Sequence, residues 1–204
     1  PDVALISFTG SPEVGWNIRA RAPRKRVGLE LGNNAPVIVH SDADVETAAQ
    51  KISVAGYSYS GQTCISVQRV YVHDSVAEHF LDRFTALVDD LVVGDPADDA
   101  TDVSALIDEC ETDRVVASVE DALAEGAHVV RGGDRGDDGV LRPTVLTDVT
   151  ADMDVCANEI FGPVVGVQRY EEIADAFTDA NDTRYGLQAG VFTSNLSTAL
   201  DAAH

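Results

Sequence analysis

The sequence predicts an α/β protein built on a mostly parallel sheet covered by helices. Apolar, β-rich runs alternate with amphipathic stretches: "VALISF" is followed by "SPEVGWNIRARA", "APVIVH" by "DVETAAQKISVAGYSYS" and "RVYVH" by "SVAEHFLDRFTALVDDL". This order is typical of βαβ units, in which crossover helices cover both faces of a parallel sheet. No internal repeat or low-complexity linker interrupts the alternation.

The remaining elements follow from periodicity and from glycine signals. Apolar residues at steps of three and four predict one buried face on the helix at 75–91, formed by Val76, Phe80, Phe84, Leu87 and Leu91. "TDRVVASVEDALAEG" predicts a helix that ends before Gly126, followed by the strand "AHVVRGG" and the exposed turn "DRGDDG". The alternation then repeats in "VVGVQRY", "EEIADAFTDAND", "AGVFT" and "LSTALDAAH".

The chain is strongly acidic. It has 35 acidic and 14 basic residues, a formal net charge of −21, and a globular composition with 45% hydrophobic residues. Such a surface repels nucleic acid and anionic lipid, so we expect neither as a partner. Because the acids are spread over the whole chain, two interpretations stay open: a generally solubilising surface, or adaptation to molar salt.

Two features predict a cytoplasmic protein. No window reaches the roughly 18 consecutive apolar residues of a membrane span, and the start "PDVALISFTG" lacks the basic region of a signal peptide. Cys64, Cys110 and Cys156 are far apart and in no C-x-x-C spacing, which suggests neither a disulfide framework nor a metal site. We therefore expect a reducing compartment and no bound metal.

Two segments near the start of the chain carry candidate chemistry. In "FTGSPEVG" a strand ends at Gly10, and Ser11 is placed to cap a helix whose free N–H groups favour a phosphate or carboxylate; a plain cap is the alternative. In "VGLELGNNAP" the carboxylate Glu30 lies in an apolar strand. A central strand would desolvate Glu30 and raise its pKa toward the range of a general base, whereas an edge strand would leave it facing water.

The segment "YSYSGQTCISVQR" contains a candidate nucleophile, Cys64. The thiol follows small residues, among which Gly56 and Gly61 permit close backbone approach, at a predicted helix–helix joint. Backbone N–H groups there would stabilise both a thiolate and an oxyanion. The alternative is an inert, packed thiol.

The segment "ANEIFGPVV" displays a carboxylate and an aromatic ring together, Glu159 and Phe161. This pairing suits a ribose diol and a flat heterocycle. An ordinary turn at the entry to a strand is the alternative.

Taken in order, these motifs resemble the NAD(P)-dependent aldehyde dehydrogenase superfamily. The resemblance rests on "FTGSPEVG", "LELGNNAP", "GQTC", "GDP", "RPTVL", "EIFGPVV" and "YGLQAGVFT", and it covers nearly the whole chain. It implies a catalytic, thiol-bearing domain over residues 32–204, incomplete at its C-terminus. Residues 1–31 would be the tail of a Rossmann-like NAD(P)-binding domain.

The resemblance also implies a reaction. Cys64 would attack the aldehyde to give a thiohemiacetal, which loses hydride to the nicotinamide and becomes a thioester, and Glu30 would activate the hydrolytic water. The implied contacts to NAD or NADP are Gly10, Ser11, Leu31, Gly32, Glu159 and Phe161. The family's asparagine oxyanion donor and adenosine-binding lysine would precede residue 1, so we expect residues 1–204 alone to be inactive.

Two residues depart from the family pattern, and two other functions stay open. Asn33 replaces the second glycine of Glu-Leu-Gly-Gly, where asparagine tolerates a positive φ, and Asn158 replaces the first residue of a Glu-Glu pair. A CoA-acylating enzyme typically lacks a carboxylate at the position of Glu30, and a catalytically silent scaffold would not need Cys64. The implied partners are a small aldehyde and further copies of the full-length chain, in a homodimer or homotetramer.

Overall fold

The computed structural model describes residues 2–204, so residue 1 of the predicted segment 1–31 lies outside the described residues. A two-stranded sheet comes first. It contains β1 (Leu5–Thr9) and β2 (Arg26–Glu30), joined by helix α1 (Pro12–Arg21). The strands are parallel, with Thr9 opposite Glu30, so their carboxyl ends lie side by side.

A larger sheet has six strands in the order β5-β6-β7-β4-β3-β8. Its strands are β3 (Pro36–Val39), β4 (Arg69–His73), β5 (His128–Arg131), β6 (Thr144–Thr147), β7 (Val164–Tyr170) and β8 (Gly190–Phe192). Neighbouring strands are parallel except β5 and β6, so the predicted mostly parallel sheet is confirmed. The exception has a simple cause: the β5–β6 connection is the exposed turn, which has no crossover helix.

Helices cover the larger sheet. They are α2 (Val45–Tyr57), α3 (Asp74–Asp89), α4 (Glu109–Ala124), α5 (Asp154–Ala157), α6 (Ile173–Asn181) and α7 (Leu196–Ala202). Asp44 and Asp108 cap α2 and α4 by accepting hydrogen bonds from the amides of Thr47 and Glu111. Each cap satisfies an N–H group that the first turn of a helix leaves unpaired.

The predicted apolar face of α3 is confirmed. Phe80 and Phe84 are fully buried, and Val76 and Leu87 pack against the same core while partly buried. The helix ends at Asp89, so Leu91 packs against this core from just beyond it. This core lies between the sheet and the helices α2 and α3, and it anchors α2, the helix that leads into the Cys64 segment.

The central strands are buried on both faces. Val39 and Val72 belong to the core under α2 and α3, whereas Ile38 and Tyr71 belong to a second core with Ala176 of α6. Successive side chains of a strand point to opposite faces, so each strand supplies both cores. None of the helices in residues 2–204 combines the length and apolar character that a membrane crossing would need.

Candidate active site

The loops that carry the motifs meet at the amino ends of three neighbouring strands. Asn33, Cys64 and Glu159 lie in the segments before β3, β4 and β7, respectively. These strands are parallel neighbours, so the three loops lie together along the edge of the sheet that is formed by the amino ends of its strands. A small cavity at this edge is lined from all three loops, by residues that include Asn33, Thr63, Gln68, Glu159 and Phe161.

Cys64 lies in a turn between α2 and β4. A single 3-10 turn follows α2, in which Tyr59 and Ser60 have left-handed φ angles of 53° and 57°. Gly61 has a φ of 73°, and a Cβ at this position would lie 2.1 Å from the carbonyl oxygen of Gly162. The segment is therefore a sharp turn into a strand, packed on the loop before β7, and not the predicted helix–helix joint.

The three cysteines differ in what they can do. The Cys64 thiol is half-buried, and within residues 2–204 neither its sulfur nor its main-chain amide donates a hydrogen bond, so the amide can donate to an oxyanion. Cys110 is exposed. Cys156 is 2% exposed, and burial raises the pKa of its thiol to about 11, which favours the unreactive neutral form.

Glu159 is half-buried, with one carboxylate oxygen hydrogen-bonded and the other lying beside a glycine. Its Oε1 accepts a hydrogen bond from the main-chain amide of Asn33 at 3.0 Å. Its Oε2 lies against Gly32, where an added Cβ would be only 2.3 Å away, so the contact requires glycine. Burial raises the pKa of Glu159, and the Asn33 hydrogen bond together with nearby Arg114 and Arg184 counteracts part of this shift.

Side chains from two distant segments of the chain hold the loop around Glu159. The Glu159 amide donates to the hydroxyl oxygen of Tyr185 at 3.2 Å, and that oxygen also accepts from Arg184 at 2.9 Å. On the other side, Arg114 donates to the carbonyl oxygen of Ile160 at 2.6 Å. Arg114 comes from α4, and Tyr185 is the first residue of the motif "YGLQAGVFT" before β8. The motif indicated that segment, but its contact with the Glu159 loop depends on the fold.

A buried polar network fixes the segment before β3. Arg69 is 2% exposed and donates to the main-chain oxygen of Asn34 at 3.0 Å and to its side-chain oxygen at 3.2 Å. The side-chain amide of Asn34 donates to the carbonyl oxygen of Cys156 at 2.7 Å. The sequence signal for this network is an arginine at the start of the apolar run "RVYVH", because a buried guanidinium needs several acceptors. The backbone at Asn33 is not left-handed, so replacing the family's glycine there needs no special conformation.

The Gly10–Ser11 turn lies at the carboxyl end of the two-stranded sheet. The Gly10 amide donates to the carbonyl oxygen of Glu30 at 3.0 Å, which holds the turn beside the end of β2. Ser11 occupies the N-cap of α1, but its hydroxyl makes no capping hydrogen bond. The expected side-chain cap is therefore wrong, and the hydroxyl is available to another group.

Glu30 is exposed at the last position of β2. Within residues 2–204, β2 pairs only with β1, so of the two interpretations of Glu30 the described residues show the edge strand. Leu31 and Gly32 follow directly. Gly32 lies beside Glu159, at the edge where the three loops meet. Glu30 precedes Gly32 by two residues, so it is close to this edge along the chain.

The NAD(P) dinucleotide that the motifs imply fits this edge in part. The Oε2 of Glu159 has no partner within residues 2–204 and can accept a hydrogen bond from a ribose hydroxyl. Phe161, with a left-handed φ of 51°, is 40% exposed and offers an aromatic face. Leu31 and Gly32 line a neighbouring groove together with Trp16. Within residues 2–204 no cluster of three or more His, Cys, Asp or Glu side chains could hold a metal ion.

Known proteins resemble the chain over its whole length. The profile of the Aldehyde dehydrogenase family matches residues 1–204. A 3-sulfolactaldehyde dehydrogenase from Priestia aryabhattai is 46% identical over 202 residues, which are 99% of this chain and 42% of that protein. An NAD-dependent aldehyde dehydrogenase from Sinorhizobium meliloti superposes with a TM-score of 0.95 at 38% identity, covering 100% of this chain and 41% of the other. A glyceraldehyde-3-phosphate dehydrogenase from Methanocaldococcus jannaschii, complexed with NADP, superposes with a TM-score of 0.94 at 38% identity, covering 98% and 42%.

The chain thus spans about 42% of the length of the curated relatives that it matches. The relatives with solved structures include proteins described as NAD-dependent and as complexed with NADP. Profile, sequence identity and fold agree over nearly the whole chain. The chain belongs to the aldehyde dehydrogenase family.

Proposed function

We propose that the full-length protein oxidises a small aldehyde to a carboxylate and transfers the hydride to NAD or NADP. The observation that carries this proposal is the contact between the Cys64 turn and the Glu159 loop, where Gly61 approaches the carbonyl of Gly162. This contact supports a site in which a free thiol and a half-buried carboxylate share one edge of the sheet.

In this proposal Cys64 is the nucleophile and Glu30 the base. The Cys64 thiolate attacks the carbonyl carbon, and the Cys64 amide donates to the oxyanion of the resulting thiohemiacetal. NAD or NADP, when bound, supplies the acceptor for the hydride that leaves this carbon. Glu30 then takes a proton from the water that attacks the thioester, and the carboxylate leaves as the thiol is restored. Glu30 favours this hydrolysis over transfer of the acyl group to CoA.

The proposed cofactor contacts are Gly10, Ser11, Leu31, Gly32, Glu159 and Phe161. The N-terminus of α1 and the uncommitted hydroxyl of Ser11 suit the pyrophosphate, because free amides at a helix start attract anions. The unpaired Oε2 of Glu159 suits the nicotinamide ribose, and the glycine at position 32 leaves space for the Glu159 carboxylate beside it.

The same proposal extends to domains, partners and location. Residues 1–31 would be the tail of an NAD(P)-binding domain and residues 32–204 the catalytic domain; the division into two sheets between Glu30 and Pro36 supports this boundary. A cytoplasmic homodimer or homotetramer is proposed, with three free cysteines supporting a reducing compartment. A small oxygenated aldehyde is the proposed substrate class, because a relative 46% identical to the chain is named for 3-sulfolactaldehyde.

The test is a panel of small aldehydes offered to the full-length protein with NAD or NADP, followed by the absorbance of the reduced nicotinamide. We expect an aldehyde-dependent rise and a free carboxylate product. Cys64→Ser should lower turnover by at least about 10²-fold, because a hydroxyl is a far weaker nucleophile than a thiolate, while Cys110→Ser should leave turnover unchanged. Undiminished turnover in Cys64→Ser, or no reaction with any aldehyde, would contradict the proposal. A product that forms only with added CoA would favour the CoA-acylating alternative.

A further inference from the structure

Gln68 is a buried side chain that joins the thiol segment to the Glu159 loop. It lies four residues after Cys64, is 6% exposed and immediately precedes β4. Its main-chain amide donates to the carbonyl oxygen of Ala35 at 3.2 Å, and its own carbonyl accepts from the Gly166 amide at 2.8 Å. The backbone of Gln68 is therefore fixed between the segments on either side of it.

The carboxamide of Gln68 makes three hydrogen bonds, all to the main chain of residues 155–160. Its Nε2 donates to the carbonyl oxygens of Val155 at 2.9 Å and Asn158 at 2.6 Å, and its Oε1 accepts from the Ile160 amide at 3.0 Å. Both amide protons and the oxygen are used, and the reverse orientation would set like groups against each other. Within residues 2–204 no other side chain bonds to the main chain on both sides of Glu159.

We propose that Gln68 is a positioning residue, which holds the Glu159 carboxylate at a set distance from the Cys64 turn and thereby determines the affinity for NAD or NADP. The inference rests on the proposed contact between Glu159 and the cofactor ribose. Without the carboxamide, the buried carbonyl oxygen of Val155, the partly buried one of Asn158 and the buried amide of Ile160 lose their partner. The loop can then relax toward positions that do not leave these groups unpaired.

The experiment compares Gln68→Leu and Gln68→Glu with wild type in the full-length protein. We expect the KM for NAD or NADP, and the calorimetric Kd without aldehyde, to rise about tenfold or more in Gln68→Leu, with kcat changed much less. Gln68→Glu supplies a pH test: a carboxylate donates no hydrogen bond, whereas a protonated carboxyl donates one. Its cofactor affinity should therefore approach that of wild type near about pH 5 and fall as the pH rises, while wild-type affinity should hold or improve as Glu159 ionises.

Tyr57→Phe is the matched control, because it removes one buried hydrogen bond, to the carbonyl oxygen of Thr144 at 2.9 Å, without touching residues 155–160. It should lower the melting temperature and leave the Kd unchanged. If both Gln68 variants, like Tyr57→Phe, leave the Kd for the cofactor unchanged while Glu159→Gln raises it, the positioning role is overturned and the ribose contact stands. If Glu159→Gln also leaves the Kd unchanged, the contact on which the inference rests is wrong. Should Gln68→Leu fail to fold, the pH dependence of Gln68→Glu still decides.

Discussion

At the scale of the residue, the Glu159 carboxylate, proposed to bind the cofactor ribose, is expected to lower the stability of the folded protein when it is ionised. Because burial raises its pKa, the folded state favours the protonated form, and the ionised form is destabilising. This destabilisation is complete at neutral pH and disappears as the pH falls below the ordinary carboxyl range. Glu159→Gln should therefore raise the melting temperature at pH 7 and leave it unchanged at about pH 3.

Thermal unfolding across this pH range checks the prediction, with Glu120→Gln as a control that makes the same chemical change at an exposed position. Lower stability of Glu159→Gln at pH 7 would mean that the bond from Asn33 outweighs the effect of burial.

A second prediction at this scale concerns Glu30, which is exposed and is proposed to activate the water that hydrolyses the thioester. Glu30→Gln should spare the first turnover, seen as a burst of reduced nicotinamide, more than the steady-state rate, because the thioester then waits for an unactivated water. Rapid-mixing kinetics on the full-length protein measure both phases. An equal loss in the two phases would instead assign Glu30 to activation of the Cys64 thiol.

At the scale of the element, the 3-10 turn after α2 decides where Cys64 lies. Gly61→Ala would place a Cβ 2.1 Å from the Gly162 oxygen, at a φ of 73°. The unfavourable φ alone costs about 1–3 kcal/mol, so we expect a clear loss of stability and a larger loss of activity as the turn shifts. Gly28→Ala in β2 is the control, because no atom lies within 4 Å of its added Cβ. Full activity in Gly61→Ala would show that the turn need not contact the Glu159 loop.

At the scale of the whole molecule, the net charge of −21 is the dominant feature. Repulsion between like charges reaches about 10 Å in 0.1 M salt but only about 3 Å in 1 M salt. If the acids are an adaptation to salt, the melting temperature should fall as salt is lowered between these limits. Asp99→Asn combined with Asp137→Asn, which neutralises two exposed acids, should weaken that dependence. A melting temperature that does not depend on salt would favour a generally solubilising surface.

Much of the fold could be predicted because its signals are local. The alternation of strands and helices, the buried face of α3 and the end of α4 before Gly126 each depend on spacing within a few turns of chain. The motifs also indicated the loops that meet at the amino ends of β3, β4 and β7. The antiparallel β5 was outside that prediction, because the direction of a strand depends on its connection and partners rather than on its own residues.

The sequence by itself determined the fold class, the family resemblance and the residues proposed for chemistry, since composition, periodicity and motifs are properties of the chain alone. The tertiary structure decided which of those residues meet. Asn33 and Glu159 are bonded across 126 residues, Gly61 packs on Gly162, and Glu30 is exposed because β2 has a single partner strand in residues 2–204. Burial and long-range hydrogen bonds depend on which strands pair and which loops share an edge, and no window of neighbouring residues contains that information.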